Sequence, residues 1–132
     1  MNETTYKVFI TEDDLMYRKM LSYLFRSDTN IQFEVFEDGQ SCLDNLALSP
    51  DLILLDYTLP DYTGEEMLKE LKSRNPDLIV IILSGIDDVS LVNQLLELGA
   101  YDFISKDKFA KTRILNSIKH LKELINLRKA VG

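Results

Sequence analysis

The chain has 132 residues, of which 45% are hydrophobic, and this size fits one compact domain with no room for a second. Fifteen Lys and Arg residues against 22 Asp and Glu residues give a formal net charge of -7, which disfavours direct binding to nucleic acid or to anionic membranes. No apolar run approaches the ~20 residues that cross a bilayer, no secretory leader opens the sequence, and Cys42 lacks a disulfide partner, so we expect a reduced, cytoplasmic setting.

Short apolar runs alternate with helical patterns along the chain, which predicts an α/β fold with parallel strands and helices on both faces of the sheet. The predicted strands are Tyr6 to Ile10, Ile31 to Phe36, Leu52 to Leu55, Leu78 to Leu83 and Tyr101 to Ile104. The predicted helices are Asp14 to Ser27, Gln40 to Leu48, Gly64 to Arg74, Val89 to Leu98 and Phe109 to Ala130. In the first helix, Asp14 is expected to cap the N-terminus, and Tyr17 is expected on the apolar face.

The composition of the strands predicts their order in the sheet. The first, third and fourth strands are almost continuously apolar, as is typical of strands that are covered on both faces. The second strand carries Gln32 and Glu34, and the fifth carries Asp102, so both are expected at the edges. The resulting order 2-1-3-4-5 describes a doubly wound, flavodoxin-like (βα)5 sandwich.

Polar residues follow the predicted strands at their carboxyl ends. Glu12 and Asp13 follow the first strand, Asp56 the third, Ser84 the fourth and Lys106 the fifth. Ligands of open α/β sheets bind beyond these ends, near the point where the strand order reverses. Because the first and third strands are expected to be neighbours, three carboxylates should converge on one cleft.

This convergence predicts a magnesium site and a phosphoryl acceptor. Carboxylates within ~4–6 Å of each other repel unless a cation lies among them, and Mg2+ prefers hard oxygen ligands together with phosphate oxygens. A carboxylate such as Asp56 can itself accept a phosphoryl group. Phosphoryl transfer needs mainly positioning and charge stabilisation, which Lys106 and the Ser84 hydroxyl can supply. We therefore expect a phosphoacceptor switch rather than an enzyme.

Four dispersed motifs together resemble the receiver domain of bacterial two-component response regulators, and the resemblance covers essentially the whole chain. The motifs are Ile10-Thr11-Glu12-Asp13-Asp14, Asp56-Tyr57-Thr58-Leu59-Pro60-Asp61 with Gly64, Leu83-Ser84-Gly85, and Ser105-Lys106.

The resemblance implies a role for each residue of the cleft. Asp56 is the implied phosphoacceptor, and it binds Mg2+ together with Glu12, Asp13 and the backbone carbonyl of Thr58. Lys106 is implied to contact the phosphoryl group, which a sensor histidine kinase or a phosphotransfer protein would supply.

Two further residues match the family's switch positions. Ser84 corresponds to the switch hydroxyl and Phe103 to the rotating aromatic side chain, with the fourth helix, fifth strand and fifth helix as the output face. Ser84 is also compatible with an ordinary turn serine, and Phe103 with an ordinary core aromatic.

One departure from the family concerns the residue after the lysine. The family usually has a proline there, often after a cis bond, whereas this chain has Asp107. A cis bond before a residue other than proline costs ~2.5–4 kcal/mol, so we predict a trans Lys106-Asp107 peptide.

The last helix extends its apolar face toward the C-terminus, and we expect residues 126–132 to be a linker or a dimerisation extension of a single receiver domain over residues 1–132. Its spaced residues are Ile114, Ile118, Leu121 and Ile125, with Leu124, Leu127 and Val131 beyond. The hypotheses are a homodimer that phosphorylation favours, or a helix that leads to an output domain outside this sequence.

Three other functions compete with the switch. A degenerate receiver would act as an interaction module without phosphorylation. A phosphatase of the haloacid dehalogenase kind would need its nucleophile after the first strand and a second Asp where Thr58 stands. A flavodoxin-like cofactor carrier would need backbone and hydroxyl donors after the first strand, where Glu12 and Asp13 would repel an anionic phosphate.

Overall fold

The structure, a computed structural model, describes residues 4–86 and 88–132, so residues 1–3 and 87 of the predicted domain lie outside the described part. Five strands alternate with five helices along the chain. The strands are β1 (Tyr6–Thr11), β2 (Ile31–Phe36), β3 (Leu52–Asp56), β4 (Ile79–Ser84) and β5 (Asp102–Ser105). The helices are α1 (Leu15–Arg26), α2 (Gly39–Asp44), α3 (Gly64–Arg74), α4 (Val89–Glu97) and α5 (Ala110–Val131).

The sheet is parallel throughout and has the predicted order β2-β1-β3-β4-β5, which confirms the fold class. Every residue of β3 and β4 is buried, whereas β2 and β5 at the edges contain partly exposed residues. The strand order reverses between β1 and β3, and the carboxyl ends of these two strands therefore flank one cleft.

Side chains alternate between two hydrophobic layers, one on each face of the sheet. In β1, Val8 and Ile10 pack toward α1 and α5, whereas Phe9 packs toward α2, α3 and α4. In β3, Leu54 and Leu55 divide in the same way. This alternation explains why the central strands are continuously apolar, since each of their faces contacts a layer of helices.

The second predicted helix is too long, because α2 ends at Asp44 and a short 3-10 turn follows at Leu46–Leu48. The Asn45 side chain donates a hydrogen bond to the Ser41 carbonyl at 2.7 Å, and the Asn45 backbone N–H donates to the Cys42 carbonyl at 3.1 Å. The Asn45 side chain thus competes with the helical backbone bond and tightens the last turn.

The start of α2 is tied to the loop that follows β3. The Asp61 carboxylate accepts hydrogen bonds from the backbone N–H groups of Gly39 and Gln40, both at 2.9 Å. The next helix begins with a reciprocal cap between Thr63 and Glu66. These contacts fix the far end of the loop between β3 and α3, which begins after Asp56.

The C-terminal part of α5 packs against the amino-terminal end of the sheet. Tyr6 donates its hydroxyl hydrogen bond to Asn126 at 2.8 Å, and the Arg128 guanidinium donates to the Asp77 carbonyl at 2.8 Å. The predicted apolar face is buried at Ile114, Ile118, Leu121 and Ile125. Beyond it, Leu127 and Val131 are 64% and 88% exposed. Within the described residues, no helix combines the length and the apolar character that a bilayer span requires.

Candidate functional site

An acidic cleft lies where β1 and β3 end. Glu12, Asp13 and Asp56 each place a carboxylate oxygen within 4.8 Å of the others. Glu12 and Asp56 are buried, whereas Asp13 is exposed at the rim. The structure thus brings together the three carboxylates that the sequence placed at neighbouring strand ends.

Lys106 reaches this cleft from the end of β5. Its Nζ contacts Glu12 Oε1 and lies 3.2 Å from Asp56 Oδ1, and its side chain is 17% exposed. The backbone N–H of Lys106 donates to the Ser84 carbonyl at 2.8 Å, which fixes the start of this side chain relative to β4. One ammonium group therefore contacts two of the three carboxyl groups, those of Glu12 and Asp56.

Burial and neighbouring charges shift the pKa values of Glu12 and Lys106. Burial, together with the neighbouring Asp56 carboxyl group, raises the pKa of Glu12 from 4.5 to about 8, although Lys106 acts in the opposite direction. Burial alone would lower the pKa of Lys106, but the contacts with Glu12 and Asp56 outweigh it and raise that pKa. The Lys106 ammonium therefore stays charged at neutral pH, and it offsets only part of the acidic cluster.

The cleft has the donor set of a hard divalent cation such as Mg2+. Its ligands would be carboxylate oxygens, which Mg2+ prefers. Glu12 Oε2 is buried and has no hydrogen-bond partner among residues 4–86 and 88–132. A buried oxygen without a partner costs about 1–3 kcal/mol, more when it is charged, so a cation at this point would remove a real penalty.

Thr58 lies two residues beyond Asp56, on the exposed side of the cleft. Its backbone N–H donates a long hydrogen bond of 3.4 Å to Asp56 Oδ1, so the chain turns back over the end of β3. The backbone N–H of Tyr57 donates a hydrogen bond to the Leu83 carbonyl at 2.8 Å, and the backbone carbonyl of Tyr57 accepts one from the Gly64 N–H at 2.6 Å. An added Cβ at Gly64 would lie 2.9 Å from the Tyr57 Cα, so this close approach requires glycine.

The two switch positions differ in their relation to the cleft. Ser84 is the last residue of β4 and is buried, and its hydroxyl accepts a hydrogen bond from the Ile86 N–H at 2.9 Å. Phe103 pairs with Ile82 in the sheet and packs, partly buried, in the layer that contacts α2, α3 and α4. The Phe103 side chain thus lies on the face of the sheet that α2, α3 and α4 cover.

The loop after Lys106 is shaped by Asp107 in place of proline. The described residues contain no cis peptide bond, so the predicted trans Lys106-Asp107 peptide is confirmed. Asp107 donates its N–H to the Ser105 carbonyl at 2.9 Å, and its carboxylate accepts from the Phe109 N–H at 2.8 Å. Local hydrogen bonds of an Asx turn thus lead the chain into α5.

Arg18 supports the acidic loop, and sequence reasoning missed it. Its guanidinium donates to the carbonyls of Glu12 and Asp13 at 3.0 and 2.9 Å, and also lies 3.3 Å from the Glu37 carboxylate. The only signal in the sequence was a basic residue one turn after an acidic loop, and such a residue is usually solvated. Arg18 thus holds the backbone from which two of the three carboxylates project.

Tyr17 was predicted as a core residue of the first helix, but it also borders the cleft. Its ring lies beneath the Lys106 ammonium, with 4.5 Å between Nζ and the ring centroid. The Tyr17 hydroxyl oxygen is buried and has no hydrogen-bond partner in the described part of the chain. Burial raises the pKa of Tyr17, so the phenol is neutral at physiological pH.

The doubly wound five-stranded sheet, with an acidic cleft and a lysine at its carboxyl edge, defines a flavodoxin-like α/β domain. The family model for the response regulator receiver domain matches residues 8–119, and the chain belongs to this family. The sequence-based identification of the family is therefore confirmed, and the chain is a receiver domain of phosphorylation-based two-component signalling.

Relatives and solved structures agree with this assignment. A protein-glutamate methylesterase/protein-glutamine glutaminase of Desulfotalea psychrophila is 34% identical over 131 residues, which cover 92% of this chain and 36% of the relative. The transcriptional regulatory protein CssR of Bacillus subtilis is 33% identical over 123 residues, covering 92% of this chain and 53% of the relative. The chain thus spans about a third to a half of the length of these relatives.

Among solved structures, the BeF3-activated receiver domain of DrrB, a protein of Thermotoga maritima, is similar with a TM-score of 0.82. The identity is 27%, and the match covers 91% of this chain and 99% of that structure.

Replacing Arg18 should loosen the acidic loop. Arg18→Met keeps much of the aliphatic stem but removes the donors to the Glu12 and Asp13 carbonyls, so we expect the free energy of unfolding to fall by about 1–3 kcal/mol. Lys19→Met, at an exposed position of the same helix, should change it by less than about 0.5 kcal/mol. Urea denaturation followed by circular dichroism measures both variants, and equal effects would contradict the role assigned to Arg18.

Proposed function

We propose that Asp56 accepts a phosphoryl group from a sensor histidine kinase or a phosphotransfer protein. Glu12, Asp13, Asp56 and the Thr58 backbone carbonyl would bind Mg2+, and Lys106 would contact the phosphoryl group. The observation that carries this proposal is the position of Asp56, whose buried carboxylate lies beside the acidic pair and 3.2 Å from the Lys106 ammonium.

In the transfer step, an Asp56 carboxylate oxygen forms a bond to phosphorus while the bond between phosphorus and the donor's leaving atom breaks. When bound by Glu12, Asp13 and Asp56, Mg2+ would supply positive charge that offsets the negative charge of the transferring group. Lys106 would offset negative charge on Asp56 and on the phosphoryl group, from a position 3.2 Å from Asp56 Oδ1. The chain needs no general base, because the acceptor is a carboxylate that is ionised when it reacts.

We further propose that the signal arises at Ser84. A phosphoryl group adds about -1.5 to -2 charges, as for other side-chain phosphates, and offers new acceptor oxygens. The Ser84 hydroxyl oxygen accepts from the Ile86 N–H, so a rotation of the Ser84 side chain toward the phosphoryl group would break this bond, which holds the loop after β4. The loop would then be released, and Phe103 would have space to repack.

The proposed output face consists of α4, β5 and α5. It carries large apolar side chains that are exposed, such as Val89 of α4 at 74% and Leu115 of α5 at 46%. A change in the packing of α4 against β5 would alter this surface, which makes it suitable for a partner that recognises the phosphorylated state.

We also propose residues 1–132 as one receiver domain, with residues 126–132 as an extension of α5. Asn126 and Arg128 contact the sheet end, whereas Leu127 and Val131 face solvent. The exposed pair supports either of two uses of this extension, a phosphorylation-favoured homodimer or a connection to an output domain.

The acceptor can be identified by intact mass after incubation with Mg2+ and acetyl phosphate. We expect one base-labile phosphoryl group on the wild type and none on Asp56→Asn, because the substituted amide is not a nucleophile. Asp51→Asn is a matched control at the residue directly before β3, and it should be labelled like the wild type. An unlabelled wild type, with another receiver labelled in parallel, would contradict the proposal and favour a degenerate receiver that acts through binding alone.

A variant at Ser84 tests the proposed switch separately from the phosphorylation of Asp56. Ser84→Ala should still accept a phosphoryl group on Asp56, but amide resonances of α4, β5 and α5 should shift much less on labelling than in the wild type. Loss of the bond to Ile86 should cost only about 0.5–1.5 kcal/mol of stability. Ser84→Thr keeps the hydroxyl and should respond like the wild type. Equal spectral changes in Ser84→Ala would count against this route.

A further inference from the structure

We propose that Tyr17 is a positioning residue, whose aromatic face holds the Lys106 ammonium beside Asp56. This inference rests on the proposed phosphoacceptor function and deepens it. The Lys106 Nζ lies 4.5 Å from the centroid of the Tyr17 ring, within the ~6 Å over which a cation is attracted to an aromatic face.

Unlike Glu12 and Asp56, the Tyr17 ring contacts Lys106 without being a proposed ligand of the cation or the phosphoryl group. Glu12 and Asp56 also contact the ammonium, but they are the groups that the proposed cation and phosphoryl group would engage. As those carboxylates gain other partners, their hold on Lys106 weakens. Tyr17 takes no part in binding the cation or the phosphoryl group, so its contact with Lys106 persists through the reaction.

The local structure keeps Tyr17 in place. The Asp14 side chain caps α1 and accepts hydrogen bonds from the Met16 and Tyr17 N–H groups at 2.9 and 3.3 Å. Tyr17 also packs against the core layer beneath α1. The ring is therefore fixed to the first turn of a capped helix, whereas Lys106 is a long side chain with high rotational entropy.

The contact also bears on the departure from the family after Lys106. The family usually has a proline at this position, whereas this chain has Asp107, whose hydrogen bonds order the backbone of the loop. Backbone order alone does not orient the four-carbon stem of lysine. The Tyr17 ring supplies that orientation from α1.

The hydroxyl of Tyr17 offers a sharp control. Its oxygen has no hydrogen-bond partner within the described residues, so the ring face, rather than the hydroxyl, makes the contact with Lys106. Tyr17→Phe should therefore preserve the effect, whereas Tyr17→Leu keeps an apolar side chain but removes the aromatic face. Tyr17→Met is a second side chain without a ring, in case Tyr17→Leu folds poorly.

The kinetic test measures the initial rate of labelling by acetyl phosphate and Mg2+ through intact mass. Tyr17→Leu should be labelled roughly three- to tenfold more slowly than the wild type, and Tyr17→Phe should recover the rate. In a Lys106→Met background, Tyr17→Leu should cause no further loss, because the ring acts through the ammonium. A normal rate in Tyr17→Leu, an equal loss in Tyr17→Phe, or an undiminished effect without Lys106 would each overturn the proposal.

A second readout does not depend on labelling. An aromatic face shifts nearby protons upfield, so the ε-methylene resonances of Lys106 should lie upfield in the wild type and Tyr17→Phe, and should return to ordinary values in Tyr17→Leu. If the wild type is not labelled but these shifts are present, the phosphoacceptor function fails while the Tyr17 contact stands. Identical Lys106 shifts in the wild type and Tyr17→Leu would overturn the contact itself.

Discussion

The contact of the Lys106 ammonium with Glu12 and Asp56 is the interaction on which the cleft depends. It places one positive charge against two buried carboxyl groups, with the exposed Asp13 carboxylate nearby, and burial raises the pKa of Glu12 to about 8. Removal of Lys106 would take away the positive charge that contacts both buried carboxyl groups, which is more costly than the loss of an exposed ion pair. The remaining negative charge favours a cation in the cleft.

Contacts from several elements of the fold hold the charged groups of the cleft close together. The parallel order brings the ends of β1 and β3 side by side, and the backbone bond between Lys106 and Ser84 fixes the end of β5 against β4. Arg18 holds the loop that carries the acidic pair, and Asp61 ties the loop after Asp56 to α2. Each contact comes from a different element, so the geometry of the cleft depends on the packing of the whole domain.

Sequence reasoning reached the sheet order and the convergence of the carboxylates because both follow from strand composition. Continuous apolar runs mark the central strands, and their ends then define the cleft. It did not reach Arg18 or Tyr17, since helical periodicity reports which face of a helix is buried and not which neighbour a polar group meets. It also overextended the second helix, where the Asn45 side chain competes for a backbone carbonyl in a way that no apolar pattern reveals.

The central claim is that the acidic cleft binds a divalent cation, and the unfolding temperature tests it most directly. A ligand that binds only the folded state stabilises it in proportion to the logarithm of its concentration. The account predicts that Mg2+ raises the midpoint of the wild type above that in NaCl of equal ionic strength, and that Asp13→Asn, at the exposed rim, shows a much smaller rise. The same midpoint in Mg2+ and NaCl for the wild type would contradict the account.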